Sequence, residues 1–396
     1  LLSDQAEFIS TSKKVDFVDI EPLVKRSSYK ASSSQRRLWV LSQFEEGNYA
    51  YNIPMVYELE GDLNVVVFKS TFDSLLKRHE SLRTVFTETE EGEVHQVIKP
   101  LDELGFKVSV IDYQGKSEYE LDTSVKSELI KSIDLCTGPL INASLHRTSE
   151  SKYVFTFIIH HIISDGWSMG VLVRDLFTIY NAQLNNQPIP LEPLRIHYKD
   201  YSAWQQEQLQ GDELAKHKDY WLSRFQGELP ILNLPSDKTR PAVKTFNGAL
   251  ISGSINKSLG EQLNTLVKKS GRTLFMGLLG VVNTLFHRYT EQEDIILGSP
   301  IAGRDHTDLE DQIGFYINTL ALRTQFRGSD SFNELLSNIK EVTLGAYDHQ
   351  VYPFDELVDE LNLSRDMSRN PLFDVMVVLQ NNDTSTGGQT LGDVKV

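Results

Sequence analysis

The sequence predicts a mixed α/β (α+β) protein in two parts, and three observations carry that reading. Apolar runs rich in β-branched and aromatic residues alternate along the chain with segments of helical periodicity. At 396 residues the chain is long enough for about two domains. Between them, Asn185-Asn-Gln-Pro188-Ile-Pro190-Leu-Glu-Pro193 sets three prolines within six residues, which disfavours helix and strand alike and marks a linker. The expected division is a polar incoming linker over 1–27, a first lobe over 28–187 and a second over 188–396. Compact structure is expected to begin near Tyr29.

In the first lobe, residues 34–44 form an amphipathic helix with Leu38, Trp39 and Leu41 on its apolar side. Residues 53–59 read as a strand. A helix over 65–77 buries Val67, Phe68, Phe72, Leu75 and Leu76. Residues 82–86 and 94–98 pair around a Glu-Glu-Gly turn at 90–92, and 117–133 are mostly helical. Residues 140–147 and 152–159 are the arms of a hairpin. From Ser168, taken as the N-cap, a helix runs to 184 with Val171, Leu172, Leu176, Ile179 and Tyr180 at helical spacing.

The second lobe repeats the mixture without repeating the sequence. It is helical over 198–225, a Pro-rich loop over 230–247 and a strand over 250–255. Helices follow at 259–269 and 274–289, then a strand at 294–297, a helix at 333–347 and an apolar strand at 373–379.

Composition excludes several functions. Asp and Glu number 55 against 39 Lys and Arg, a net charge of −16 with no basic patch, which argues against nucleic acid. No apolar run reaches the ~18 residues of a transmembrane helix. Cys136 is the single cysteine, so no internal disulfide forms and a reducing cytosol is the expected setting. The chain opens Leu1-Leu-Ser-Asp, without Met or a signal pattern, and is expected to be cut from a longer polypeptide or trimmed of disordered residues.

Gly298-Ser-Pro-Ile-Ala-Gly303-Arg304-Asp305 follows a strand and invites comparison with a phosphate loop. Arg304 and Asp305 stand where that loop needs Lys and Ser or Thr, and Pro300 removes an N–H from the cradle. Nucleotide binding is rejected. His160, His161 and Asp165 lack a second cluster to complete a metal site, so no metal is expected.

The stretch that can carry chemistry is Tyr153-Val-Phe-Thr-Phe-Ile-Ile-His160-His161-Ile-Ile-Ser-Asp165-Gly166-Trp167-Ser168. A buried strand ends in two imidazoles and turns into a helix. Taken alone, His161 and Asp165 are better explained as hydrogen-bonded core residues than by catalysis.

Seven stretches together resemble one family, the condensation domains of nonribosomal peptide synthetases, from about Tyr29 to Asn382. They are Ser32-Ser-Ser-Gln-Arg-Arg-Leu-Trp39, with Ser34 where Ala is usual; Arg78-His-Glu-Ser-Leu-Arg83-Thr-Val-Phe86; His160-His161-Ile-Ile-Ser-Asp165-Gly166; Tyr198-Lys-Asp200-Tyr-Ser-Ala-Trp204; Ile313-Gly-Phe-Tyr-Ile-Asn318-Thr319-Leu-Ala-Leu-Arg323; His349-Gln-Val-Tyr-Pro353-Phe354; and Arg365-Asp-Met-Ser-Arg369-Asn370-Pro371-Leu-Phe. The third is similar to the family's HHxxxDG active-site motif. That motif alone also occurs in other acyltransferases; all seven in order are specific.

The resemblance implies two chloramphenicol-acetyltransferase-like lobes in a V-shaped pseudo-dimer around a central tunnel. An upstream donor carrier protein and a downstream acceptor carrier protein deliver thioesters there on phosphopantetheine arms. The domain itself holds no cofactor, and an adenylation domain adjoins it. The wording around Trp167-Ser168 and Asn318-Thr-Leu-Ala-Leu-Arg323 resembles the subtype joining two L-residues. Residues 1–27 resemble the segment trailing a carrier domain, and the closing elements of the second lobe are expected beyond Val396.

Within that frame, His161 is expected as base or as orienter of an α-amine, and His160 as structural. An α-amine has a pKa of about 8 and a His about 6.5, so both titrate close to neutral pH. Asp165 either orients His161 or pairs with Arg83 to hold the loop, the second being preferred. Gly166 either admits substrate and offers an oxyanion N–H or is a turn glycine. Trp167, Ser168 and Asn318 are expected along the substrate tunnel, with packing as the other reading of Trp167 and strand-end capping that of Asn318. Two other functions stay open: a catalytically silent relative that docks carriers, and an epimerisation domain.

Overall fold

The computed structural model describes residues 19–43, 49–245, 247–363, 366–380 and 390–396. Strand β1 (Tyr29–Lys30) leads into helix α1 (Ser33–Ser42). Ser32 caps the Gln35 N–H and the Gln35 side chain returns to the Ser32 N–H, satisfying first-turn donors from both sides. Leu38 and Trp39 are buried as expected; the expected helix end at Phe44 lies outside the described residues. Then come β2 (Asn52–Glu60), α2 (Val65–Arg78), a 3-10 turn (Glu80–Arg83), β3 (Thr84–Glu88) and β4 (Val94–Ile98). The expected strand start at Leu82 belongs to that turn. A short α3 (Leu101–Leu104), β5 (Ser109–Asp112), α4 (Glu118–Leu129), β6 (Ile141–Arg147), β7 (Lys152–His160) and α5 (Gly166–Leu184) follow.

β7 lies between β2 and β6, antiparallel to both, and β5 joins parallel to β6, giving the order β2-β7-β6-β5. Residues 155–160 of β7 are all buried, because both faces of the strand are covered. On one face Phe155 meets Phe68 of α2 edge to face at 5.1 Å, and Phe157 meets Phe72 at 5.9 Å. On the other, Thr156 donates to Glu128 of α4 at 2.7 Å. A side chain as enclosed as Phe157 contributes about 1.5–3 kcal/mol. β1, β4 and β3 form a second, antiparallel sheet.

The second half carries α6 (Tyr198–Gln208), α7 (Asp212–Arg224), α8 (Lys257–Lys269), α9 (Leu274–Thr290), β8 (Asp294–Ile301), β9 (Asn318–Gln325), α10 (Phe332–Asp348) and α11 (Phe354–Glu360). β8 and β9 pair antiparallel, and Trp221, Ile296, Leu322, Leu336 and Phe373 are buried in this half. β9 and α11 were not foreseen. The strand expected at 250–255 is absent: Leu250 is 93% and Ile251 95% exposed, and no described strand runs beside them to take up the backbone hydrogen bonds. The strand expected at 373–379 reduces to a parallel bridge, in which the Gly298 N–H donates to Val375 O and the Val377 N–H to Gly298 O. Ordered packing also starts earlier than expected, since Ile20 is fully buried with Ile196, Tyr198 and Tyr316.

Candidate active site

His161 sits where β7 ends and a 3-10 turn (His161–Ile163) begins. Its main-chain N–H donates to Tyr51 O at 2.7 Å. Its Nδ1 lies 2.7 Å from the carbonyl oxygen of Ser164. A carbonyl only accepts, so Nδ1 carries the proton and Nε2 of the neutral ring is the basic nitrogen. The half-buried imidazole stands edge to face against Phe315, with centroids 5.1 Å apart.

His160 is arranged the other way. It is fully buried, its Nδ1 accepts the Ile162 N–H at 3.1 Å, and its Nε2 has no partner. Burial, with the neighbouring His161 charge second, lowers its pKa to about 3. His160 is therefore a neutral brace of the turn.

Asp165 bonds to Ser168, Arg304 and Tyr316 rather than to His161. It, rather than Ser168, is the N-cap of α5: its Oδ1 accepts the Ser168 N–H at 2.8 Å. The same oxygen is 2.7 Å from Ser168 Oγ and 3.1 Å from Arg304 Nη2, while Oδ2 accepts the Tyr316 N–H at 3.0 Å. Arg304 and Asp165 are each 2% exposed at the side chain. The expected pairing with Arg83 does not occur. Arg83 donates to Leu76 O at 3.0 Å and Lys99 O at 2.9 Å and lies 3.7 Å from Glu80, tying the end of α2 to the end of β4. Two main-chain carbonyls spaced to fit its guanidinium hold it there, and Arg304 fills the position beside Asp165 instead.

In the sequence Arg304 stands out only as the residue where a phosphate loop needs its lysine. Its signal was Gly303: there φ is +63° and a Cβ would come within 2.1 Å of Tyr316 O. That glycine lets the strand end turn tightly and bring Arg304 against Asp165, with its guanidinium 4.2 Å over the Tyr316 ring.

The remaining expected residues separate. Ser168 is sealed in the Asp165 cluster, bonded also to Gly314 and Arg304, so its side chain lines no passage. Trp167 is 38% exposed and donates to Glu310 O at 2.9 Å. Gly166 is exposed at the first position of α5, and a Cβ there would meet nothing within 4 Å. Neither backbone nor packing demands glycine at that point. Asn318 opens β9, donates to Gln350 O and Tyr352 O at 2.8 Å each and accepts the Phe354 N–H at 3.0 Å, which makes it a tether for the start of α11. It also lines a cavity of about 320 Å³.

Two cavities approach His161, and it lines neither. The larger, about 870 Å³, includes Arg37, Tyr51, Ile295 and Phe373 in its wall; the smaller includes Tyr201, Trp204, Phe315 and Tyr316. Tyr51 is bonded to the His161 main chain, and Phe315 touches its ring. His161 thus touches one wall residue of each cavity, Tyr51 through its main chain and Phe315 through its ring. Among the described residues no group of His, Cys, Asp and Glu could hold a metal ion, and no helix is long and apolar enough to cross a membrane.

A family model, "Condensation domain", matches residues 25–395. The chain belongs to the condensation domain family. The match covers the imidazole turn, Arg304 and the β9 tether alike. The chain is 42% identical over 382 residues to bacitracin synthase 3 of Bacillus licheniformis, covering 96% of this chain and 6% of that protein. It is 40% identical over 378 residues to tyrocidine synthase 3 of Brevibacillus parabrevis, covering 96% of this chain and 6% of that protein. The domain thus spans a small fraction of the synthetases it matches.

Among solved structures, the X-domain from teicoplanin biosynthesis superposes with a TM-score of 0.82 at 24% identity, covering 91% of this chain and 79% of that one. The first condensation domain of the calcium-dependent antibiotic synthetase, in complex with a substrate analogue, gives 0.71 at 19%, covering 86% and 79%. The fold is accordingly that of condensation domains, which is chloramphenicol-acetyltransferase-like. As members of nonribosomal peptide synthetases, condensation domains form amide bonds.

Proposed function

We propose that this domain joins a donor acyl or peptidyl thioester to the α-amine of an acceptor aminoacyl thioester. Both ride on phosphopantetheine arms of carrier proteins, the donor upstream and the acceptor downstream, with an adenylation domain adjoining and no cofactor of the domain's own. The motif wording favours two L-residues as partners, and the setting is cytosolic. The observation that carries the reading is His161: its proton is fixed on Nδ1 by Ser164, Nε2 is the free ring nitrogen, and a wall residue of each of two cavities touches it. Two reactants approaching from opposite sides fit a V of two lobes around a tunnel.

The amine nitrogen attacks the thioester carbonyl, and the carbonyl π electrons move onto oxygen. Nε2 takes a proton from the nitrogen. Collapse expels the arm's thiolate, which the imidazolium reprotonates, leaving an amide and a free thiol. In this reading the Gly166 N–H, at the start of α5, donates to the oxyanion. Holding the reactants in line supplies up to about 7–11 kcal/mol, and proton transfer typically ~10²–10⁴ in rate.

The test is single turnover in the full-length polypeptide with both carriers loaded, followed by intact-protein mass spectrometry, beside His161→Ala. Transfer of the donor mass to the acceptor, lost in the variant, is the expected result. An acceptor mass that never changes across cognate-like substrates would turn the assignment to a docking relative. Exchange of the α-proton for deuterium without transfer would turn it to epimerisation.

A further inference from the structure

We propose that the Phe315 ring is a size gate between His161 and the smaller cavity, selecting which residue can bring its reacting atom to Nε2. This rests on the condensation reading. The main chain around Phe315 is clamped at four successive residues. Ser81 Oγ donates to Ile313 O at 2.6 Å, and the Gly314 N–H donates to Ser168 Oγ at 3.1 Å. Tyr198 Oη donates to Phe315 O at 2.7 Å, and the Tyr316 N–H donates to Asp165 at 3.0 Å. A segment held so tightly cannot move as a loop. The Phe315 side chain is nevertheless half-buried, stands against the His161 ring at 5.1 Å and forms part of the wall of the 320 Å³ cavity. Its only freedom is rotation about its own side-chain bonds, against the apolar groups it packs on.

The rest of that wall includes Tyr198, Tyr201, Trp204 and Tyr316. Three of these rings are themselves interlocked: Tyr198 and Tyr201 pack against Tyr316 at 4.9 and 4.7 Å. The aromatic side of the cavity is therefore a set of interlocked rings, with Phe315 the ring between it and the imidazole. A substrate residue lodged there is brought up to the imidazole past the Phe315 ring, so the size of that ring sets the size of residue admitted.

The experiment uses the full-length polypeptide as wild type, Phe315→Ala, Phe315→Leu and Phe315→Trp. The kcat/KM ratio for Trp over Ala is measured with the acceptor varied, then with the donor varied. Each ratio compares two substrates on one protein, so a loss of folded protein cancels. In one of the two series the Ala variant raises the ratio by about tenfold or more, Leu falls between, and Trp lowers it. That series names the substrate that uses the cavity. Equal ratios in both series across all four proteins overturn the proposal. In parallel, binding of unreactive aminoacyl-pantetheine amides of Trp and Ala is measured on the same proteins and follows the same order. If nothing is transferred by wild type, the condensation reading fails, while the amide affinities still decide whether Phe315 sorts by size.

Discussion

The turn from β7 into α5 and the segment from β8 to β9 meet at the same imidazole but are held in opposite ways. In the first, the decisive bond is local: His161 is oriented by Ser164, three residues on. In the second, the bonds that fasten it to the first lobe are long-range. Arg304 and Tyr316 reach Asp165 across 139 and 151 positions, and Ser168 reaches Gly314 across 146. The imidazole is oriented within one lobe, whereas the surface facing it is fastened on from the other. The acidic and imidazole members of HHxxxDG thus belong to different tasks, although they stand close together in the chain.

The largest effects break that comparison into rate and stability. His161→Ala should lower single-turnover transfer by ~10²–10⁴ while leaving the thermal unfolding midpoint within a few degrees. Asp165→Ala should do the reverse first, costing about 3–5 kcal/mol in denaturant titration, because it leaves a buried Arg304 unpaired. Removing both members, Asp165→Ala with Arg304→Ala, should cost clearly less than the sum of the single variants. Additive losses would show that Asp165 is not fastened to the second lobe through Arg304.

A smaller effect sharpens the contrast between the paired imidazoles. His160 is neutral in the fold down to about pH 3, whereas the unfolded chain protonates it near 6.5. Between those values the unfolded state holds one more proton, so stability rises with pH and falls as the solution is acidified. The contribution is about 1.4 kcal/mol per pH unit over that window. His160→Asn keeps an acceptor for the Ile162 N–H and removes the titration. Unfolding curves from pH 7 to 4 should then lose about one proton's worth of slope, and an unchanged slope would place the acid sensitivity elsewhere.

Most of the first lobe was legible because its signals are short-range. The hairpin over 141–160 and α2 follow from periodicity within about 15 residues, and Phe68, Phe72 and Phe157 are buried where the pattern put them. The imidazole turn was legible too, from the change of period at His160. What failed depended on distant partners. Residues 250–255 carry a strand composition with no described strand beside them, and Ser168 looked like a cap until Asp165 took the N–H. Arg304 and Phe315 meet Asp165 and His161 only across nearly 140 and more positions, which no local pattern records.

The smallest effect concerns Arg83, where the sequence offered a partner for Asp165 and the fold gives another. Arg83 holds two carbonyls, Leu76 O and Lys99 O, within the first lobe. Its loss strands those acceptors and costs stability of its own, so a drop in the single Arg83→Ala variant decides nothing. The coupling does. Residues that share no partner lose stability additively, within about 0.3–0.5 kcal/mol. Arg83→Ala combined with Asp165→Ala should therefore equal the sum of the two, while the Arg304 cycle on the same Asp165 background departs from additivity by several times that margin. A coupling between Arg83 and Asp165 as large as that of Arg304 would join the two regions through the first lobe after all, and the division between a locally built imidazole and a distantly fastened wall would not stand.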